Sequence, residues 1–200
     1  MKPLYLLVGK SASGKTTIAE YLEKEKGMTS LQSYTTRPPR YEGEVGHTFI
    51  SDEEYDILDN RIAEVEYNGY RYCSTQQQLD DAEVYVIDPL GVETLLERYD
   101  NQDRLVCIVF FSTDLRTRIE RMRTRGDSSD DIITRLYNDD GYDWLHTIED
   151  IYRYYRFDKR YNNRKLHLCN IDANQDFNHV KDEVLKIINF INNYIRRMIF

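Results

Sequence analysis

The chain has 200 residues, enough for one α/β domain with a small insert and too few for two independent cores. Its 40% hydrophobic and 31% charged content is a globular composition, and a net charge of −8 excludes a general attraction to nucleic acid or anionic membrane. No run of about 18 apolar residues is present, and Cys73, Cys107 and Cys169 are scattered without a histidine cluster, which points to inert thiols in a reducing, cytoplasmic setting rather than metal ligands.

Leu4–Val8 is an apolar run of strand length. The first nine residues superficially suggest a signal peptide, but the run is too short and Gly9-Lys10-Ser11 follows directly. Lys15–Lys26 has helical composition, and Gly27 sits where helices end. Residues 33–80 break the rhythm: Pro38-Pro39, three glycines and alternating segments around Thr48–Ile50 and Arg61–Tyr72 predict a small antiparallel insert. Val84–Asp88 is a second buried-type strand, closed by Pro89 and followed by a helix over Val92–Tyr99. Leu105–Phe111 predicts a strand buried on both faces, after which Thr113 or Asp114 caps an Arg-rich helix running to Arg125. Leu166–Cys169 and Asp176–Met198 supply a last core strand and a last helix. Strands alternating with helices predict a mostly parallel sheet covered on both faces.

The stretch from Tyr137 to Arg164 reads two ways. Tyr137, Tyr142, Tyr152, Tyr154, Tyr155 and Tyr161, interleaved with Arg153, Arg156, Lys159, Arg160 and Arg164, could stack single-stranded nucleic acid. They equally suit an amphipathic helix that packs its tyrosines and solvates its basic face, the reading favoured in an acidic chain, with neither nucleic acid nor membrane expected as partner.

Gly9-Lys10-Ser11-Ala12-Ser13-Gly14-Lys15-Thr16 fits G-x-x-x-x-G-K-[ST] between a strand and a helix. In that context backbone N–H groups turn inward onto nucleotide phosphates, the helix N-terminus adds partial positive charge, Lys15 bridges the phosphates and the Thr16 hydroxyl reaches Mg²⁺. Gly9, Ser11–Thr16 and Thr17 are therefore the expected ATP-binding residues. Asp88 ends an apolar strand, the place of a carboxylate that steers Mg²⁺; as a bland alternative it caps the turn before Pro89. No N-K-x-D motif occurs, which argues against a GTPase.

Arg37 and Arg40 lie in the Pro-stiffened stretch Ser33-Tyr34-Thr35-Thr36-Arg37-Pro38-Pro39-Arg40-Tyr41-Glu42-Gly43-Glu44. Two converging guanidiniums suit a phosphate monoester, though such a loop also occurs as a surface ion-pair site. This stretch, together with Asn68-Gly69-Tyr70-Arg71-Tyr72-Cys73-Ser74-Thr75, Ile87-Asp88-Pro89-Leu90-Gly91-Val92 and the Arg-rich helix, resembles the guanylate kinase family. The resemblance covers about the first 136 residues in order.

It implies one three-layer P-loop kinase domain over residues 1–200, with an acceptor-binding insert at about 33–80 and a lid near 121–140. It implies Mg²⁺-dependent transfer of the ATP γ-phosphoryl to GMP or dGMP. Arg37, Arg40 and Tyr72 would bind the GMP phosphate, and Ser33, Glu64, Ser74 and Asp88 would face guanine. A carboxylate such as Glu64, with Glu66 as its rival, suits guanine's two adjacent donors. Arg121, Arg125 and Arg135 would be catalytic lid arginines beside Lys15, surrounded by Arg116, Arg118 and Arg123, and Asn170 would border the adenine. The chain departs from the family pattern at His47, where a phosphate-binding tyrosine is usual, at Cys73 for glycine, at Val86 for aspartate, and in the added Glu42. A same-fold kinase for another nucleotide or a sugar phosphate stays open, as does a non-catalytic binding module, against which Lys15-Thr16 speaks. Ribose preference and oligomeric state are not legible.

Overall fold

In the computed structural model, which describes residues 2–40, 42–67, 69–100, 103–141, 143–157 and 165–199, the phosphate-loop motif sits at the centre of a parallel sheet. In chain order the elements run β1 (Leu4–Val8), α1 (Lys15–Lys26), β2 (Ser33–Thr35), β3 (His47–Phe49), α2 (Asp52–Asp56), β4 (Arg61–Tyr67), β5 (Tyr70–Thr75) and α3 (Gln76–Asp81). They continue with β6 (Val84–Val86), α4 (Pro89–Arg98), β7 (Val106–Ser112), α5 (Leu115–Thr124), α6 (Ser129–Asp139), α7 (Trp144–Phe157), β8 (Leu166–Asp172) and α8 (Phe177–Ile199).

The core sheet has the order β6-β1-β7-β8, every pair parallel, and Ser30 adds a single parallel bridge to Val84 at one edge. All five residues of β1 are buried, as a strand covered on both faces requires. Tyr5, Leu7, Cys107 and Val109 meet Ile18 and Leu22 of α1 and Val184 of α8. Leu4, Leu6 and Ile108 meet Val92 and Leu95 of α4 and Ile148 of α7 on the other face. Each such leucine or isoleucine contributes about 1.5–3 kcal/mol on burial, so alternate β1 residues tie both helical layers to one strand.

The insert is a second sheet, β3-β2-β5-β4. The pairs β2–β5 and β4–β5 are antiparallel, but β2 and β3 run parallel with Ser33 opposite His47, which corrects the wholly antiparallel expectation. The loop between β2 and β3 doubles back to the same end of the sheet, fastened by Arg37 and Glu44. A bulge interrupts β4 between Ile62 and Val65, where Ala63 takes a left-handed φ of 51°.

The amphipathic reading of the aromatic segment describes α7. Trp144, Ile148, Ile151 and Tyr155 face the core at helical spacing, Tyr152 packs against it, and Arg153 pairs outward with Glu149 and Asp150. Tyr137 is exposed on α6, whereas Tyr142, Lys159, Arg160, Tyr161 and Arg164 lie outside the described residues. Among the described residues, no helix is long and apolar enough to cross a membrane.

Candidate active site

The phosphate loop leaves β1 at Gly9, where a Cβ would come within 2.8 Å of the Phe111 carbonyl oxygen and 2.9 Å of Ser13 Oγ; only glycine fits. Gly14, at φ 97°, caps α1 and starts the helix that points its N-terminus into the loop. Lys15 Nζ lies over the loop, donating to Lys10 O at 3.0 Å and Ser13 Oγ at 3.4 Å. Burial lowers its ammonium to about 8, while Asp139 and Asp88 pull the other way and Arg118 and Arg125 add to the drop. Ser13 is itself buried under the loop. A cavity of about 450 Å³ opens beside the loop, from Ala12 to Ile18, and is completed by Arg121, Gln175, Asp176 and Phe177.

Asn170 does not reach this cavity. Strand β8 continues to Asp172, so Asn170 is an exposed mid-strand residue pairing with Phe110, and the loop beyond the strand supplies the wall instead. Among the residues that line the cavity, Gln175–Phe177 stand where Asn170 was expected.

Across the mouth lies a cation cradle. Arg37, 8% exposed at its side chain, grips Glu44, 5% exposed, with Nη2 to Oε1 at 2.8 Å and Nη1 to Oε2 at 3.2 Å. Glu44 also accepts from Arg40 N at 2.6 Å and Arg40 Nη1 at 3.3 Å. Burial alone would raise the Glu44 carboxyl; hydrogen bonds from Arg37 and Arg40 outweigh it and hold the group below the ordinary carboxylate range. Arg37 also bonds the Tyr72 hydroxyl. Glu44 is the residue sequence reasoning missed here, although Gly43-Glu44 stands within the quoted stretch.

Next to the cradle, His47 Nδ1 meets Ser33 Oγ at 2.9 Å, and its ring lies edge-on to Tyr72. Burial and then Arg37 drive its pKa down to about 4, so the imidazole is neutral at pH 7. Behind it a smaller cavity of about 170 Å³ is walled by Ala63, Val65, Tyr85, Val86 and Trp144, with Asp88 at the Lys15 end. Tyr85 hydrogen-bonds both Ser33 and Ser74, and Ser74 donates to Ile62 O at 3.2 Å; Ser74 thus braces the wall from behind.

Glu64 is not in this wall. The bulge at Ala63 presents Ala63 and Val65 to the cavity and turns Glu64 outward, where it pairs with Arg98 at 3.1 Å and Arg61 at 3.6 Å. Glu66 is exposed opposite Arg71. The placement of either β4 carboxylate against a bound base is therefore corrected, and Asp88 is the acidic side chain this cavity has. Asp88 Oδ1 caps α4 by accepting from Gly91 N at 2.8 Å. Burial pushes its carboxyl up, opposed by the backbone N–H groups of Gly91 and Leu90 and by Lys15.

A cleft of about 1230 Å³ joins these parts, bringing Arg40, Arg125 and Arg135 around Thr16 and Thr17. Arg125 and Arg135 both pair with Asp127, Arg125 Nε at 2.6 Å and Arg135 Nε at 3.4 Å. Arg121 reaches the other way, donating to Ala173 O at 2.7 Å and Gln175 O at 3.1 Å beside the loop. Arg116 and Arg123 are solvated.

A phosphate loop facing an arginine cradle across a cleft lined by further arginines is the layout of a two-substrate phosphotransferase. The family described as an AAA domain matches residues 6–145. The guanylate kinase of Helicobacter pylori 26695 is 34% identical over 150 residues, 68% of this chain and 70% of that protein. The chain belongs to the guanylate kinase family. The guanylate kinase of Sphingopyxis alaskensis is 29% identical over 164 residues, covering 71% of this chain and 73% of its own. The crystal structure of guanylate kinase from Anaplasma phagocytophilum superposes with a TM-score of 0.52 at 16% identity, over 94% of this chain and 85% of that one, a likeness of fold. As a member of the guanylate kinase family the chain is an ATP-dependent phosphotransferase with a P-loop, acting in the nucleoside monophosphate kinase manner.

Proposed function

We propose that the chain transfers the γ-phosphoryl of ATP to GMP or dGMP, yielding ADP and GDP or dGDP. The observation that supports this reading is the cleft that sets Arg40 and Glu44, with Arg37 bound behind them, across from Thr16 and Thr17, next to a smaller cavity shared by Tyr72 and Lys15, in a chain 34% identical to a guanylate kinase. ATP lies with its phosphates on the loop N–H groups and Lys15, and its base toward Gln175–Phe177. The monophosphate, already a dianionic nucleophile, is held by Arg37 and Arg40, so no side chain has to act as a strong base. Arg121, Arg125 and Arg135 close over the transferring group and stabilise its equatorial charge. Guanine enters the smaller cavity with Ser33 as a polar contact, leaving Asp88 at the Lys15 end for the cation.

Mg²⁺ carried with ATP fits the donors present. Thr16 and Asp88 are hard oxygen ligands beside the loop, and a buried carboxyl pushed upward gains from a cation. Among the described residues there is no cluster of three acidic, histidine or cysteine side chains, so the ion would lean on phosphates and water. Bound there, it neutralises charge on the β- and γ-phosphates.

A second reading, another nucleoside monophosphate as acceptor, is favoured by the apolar Ala63–Val65 wall from which Glu64 is turned away. A coupled ADP-release assay across purine and pyrimidine monophosphates tests both. GMP or dGMP should give the highest kcat/KM; a pyrimidine nucleotide at least about tenfold better would replace guanine with that base.

A further inference from the structure

We infer that Asp139 and Arg118 clamp the phosphate loop into its nucleotide-ready shape, and so are positioning residues for ATP. The inference rests on ATP being the phosphoryl donor. Ser11, the third residue of the loop motif, is gripped at its backbone N–H, its hydroxyl and its carbonyl oxygen. Asp139 Oδ2 accepts from Ser11 N at 2.8 Å and Oδ1 from the Ser11 hydroxyl at 3.3 Å. Arg118 Nε donates to the Ser11 carbonyl oxygen at 2.9 Å, and its Nη2 closes the triangle on Asp139 Oδ2.

Both side chains are shut away from water, Arg118 at 2% and Asp139 at 3% exposure, although Lys10, Ser11 and Ala12 are only half-buried. Burying an ion pair gives little net stability, which leaves the geometry it imposes as its visible consequence. That geometry is the turn at Ala12, whose φ of 62° is one an alanine adopts only when held. The turn aims the following N–H groups into the loop. Arg121 Nη1 donates to the Ala12 carbonyl oxygen at 3.4 Å, on the peptide unit that follows.

The clamp comes from two helices outside the loop, Arg118 on α5 and Asp139 as the last residue of α6. The neighbouring Asn138 hydrogen-bonds Tyr67 of β4, so one helix end touches the donor loop and the acceptor insert together. The α6 end nearest the lid arginine Arg135 is therefore anchored to the loop and the insert.

Calorimetric titration of ATP without acceptor, followed by steady-state kinetics, tests the clamp. Asp139→Asn should weaken ATP binding about tenfold or more while leaving the acceptor KM within about twofold. Adding Ala12→Gly, which removes the left-handed penalty, should recover at least about threefold of that loss. Arg118→Lys, which keeps the charge but gives up the Nε–H bond, should weaken ATP binding severalfold and decides the matter if Asp139→Asn does not fold. Asp140→Asn, at an exposed carboxylate whose ion pair with Lys10 is solvent-screened, should stay within about twofold of the parent. Unchanged ATP affinity in Asp139→Asn and Arg118→Lys would overturn the clamp. So would an equal rise in acceptor KM that Ala12→Gly fails to recover, since that is the behaviour of a general brace. A parent chain that binds no ATP would instead overturn the assignment of the donor.

Discussion

Glu44→Gln should unfold the Arg37–Arg40 cradle at lower temperature and, by taking the resident carboxylate off the guanidiniums, tighten rather than weaken the binding of an acceptor phosphate. The carboxylate takes four hydrogen bonds from Arg37 and Arg40, and the Arg37–Glu44 pair is almost fully desolvated. Glutamine keeps one oxygen but presents an NH₂ to donors, and Arg37 is left buried without its counter-charge. Breaking such a pair costs about 3–5 kcal/mol; we take about 3, since the amide oxygen retains part of the network. A chain of this length shifts by about 2–4 °C per kcal/mol, so Tm should fall by roughly 6–12 °C. Glu44's folded pKa is depressed, so its stabilisation is present above the unfolded value near 4.3 and lost as pH falls through the folded value. The Tm gap should therefore persist at pH 7 and narrow below about pH 4. Saturating GMP should narrow it too, because the nucleotide brings a dianion to the same guanidiniums. Thermal unfolding by circular dichroism, with and without GMP, reads all three effects. A Tm within about 2 °C of the parent would refute the buried-pair account.

Lys15→Ala should cut kcat about a thousandfold or more without loss of fold. Because Lys15 titrates near 8 in the free chain and ATP phosphates would raise it, ATP binding should take up a proton at pH 8.5, read by calorimetry in two buffers and abolished in Lys15→Ala; zero uptake in the parent would contradict the lowered ammonium. Glu64→Gln should leave kcat/KM for GMP within about threefold, since its partners are Arg98 and Arg61; a hundredfold loss would return the carboxylate to the base cavity. With His47 neutral from about pH 5 upward, acceptor KM should show no His47-dependent change between pH 6 and 8, and a rise centred near 6.5 that disappears in His47→Gln would show the imidazole to be protonated.

The loop and its flanks were legible residue for residue, β1 at Leu4–Val8 and α1 at Lys15–Lys26, because strand, glycine turn and helix each leave an unambiguous local signature. The capping boxes Ser51-x-x-Glu54 and Thr75-x-x-Gln78 that start α2 and α3 are also written in the chain, but no amphipathic run follows them to mark a helix. Helix α6, capped by Ser128 with Asp130 and Asp131 in its first turn, was also legible, but the resemblance marks it only as part of a lid near 121–140. Glu64 was misplaced because alternation assumes a regular strand, and a bulge at an alanine leaves no compositional trace. Glu44, Asp127 and Asp139 were invisible as partners since charge pairing across the fold depends on which loops meet.

Glu44 and Asp127 have a common consequence. Each occupies guanidiniums that the proposed reaction would place on phosphates, Glu44 on Arg37 and Arg40, Asp127 on Arg125 and Arg135. Under that proposal the site works as an ion exchanger with resident anions: a substrate phosphate would displace a carboxylate rather than fill a bare positive field. The ionic-strength dependence of substrate affinity should then be shallower than the number of arginines suggests, because little mobile salt has to leave when the nucleotide arrives.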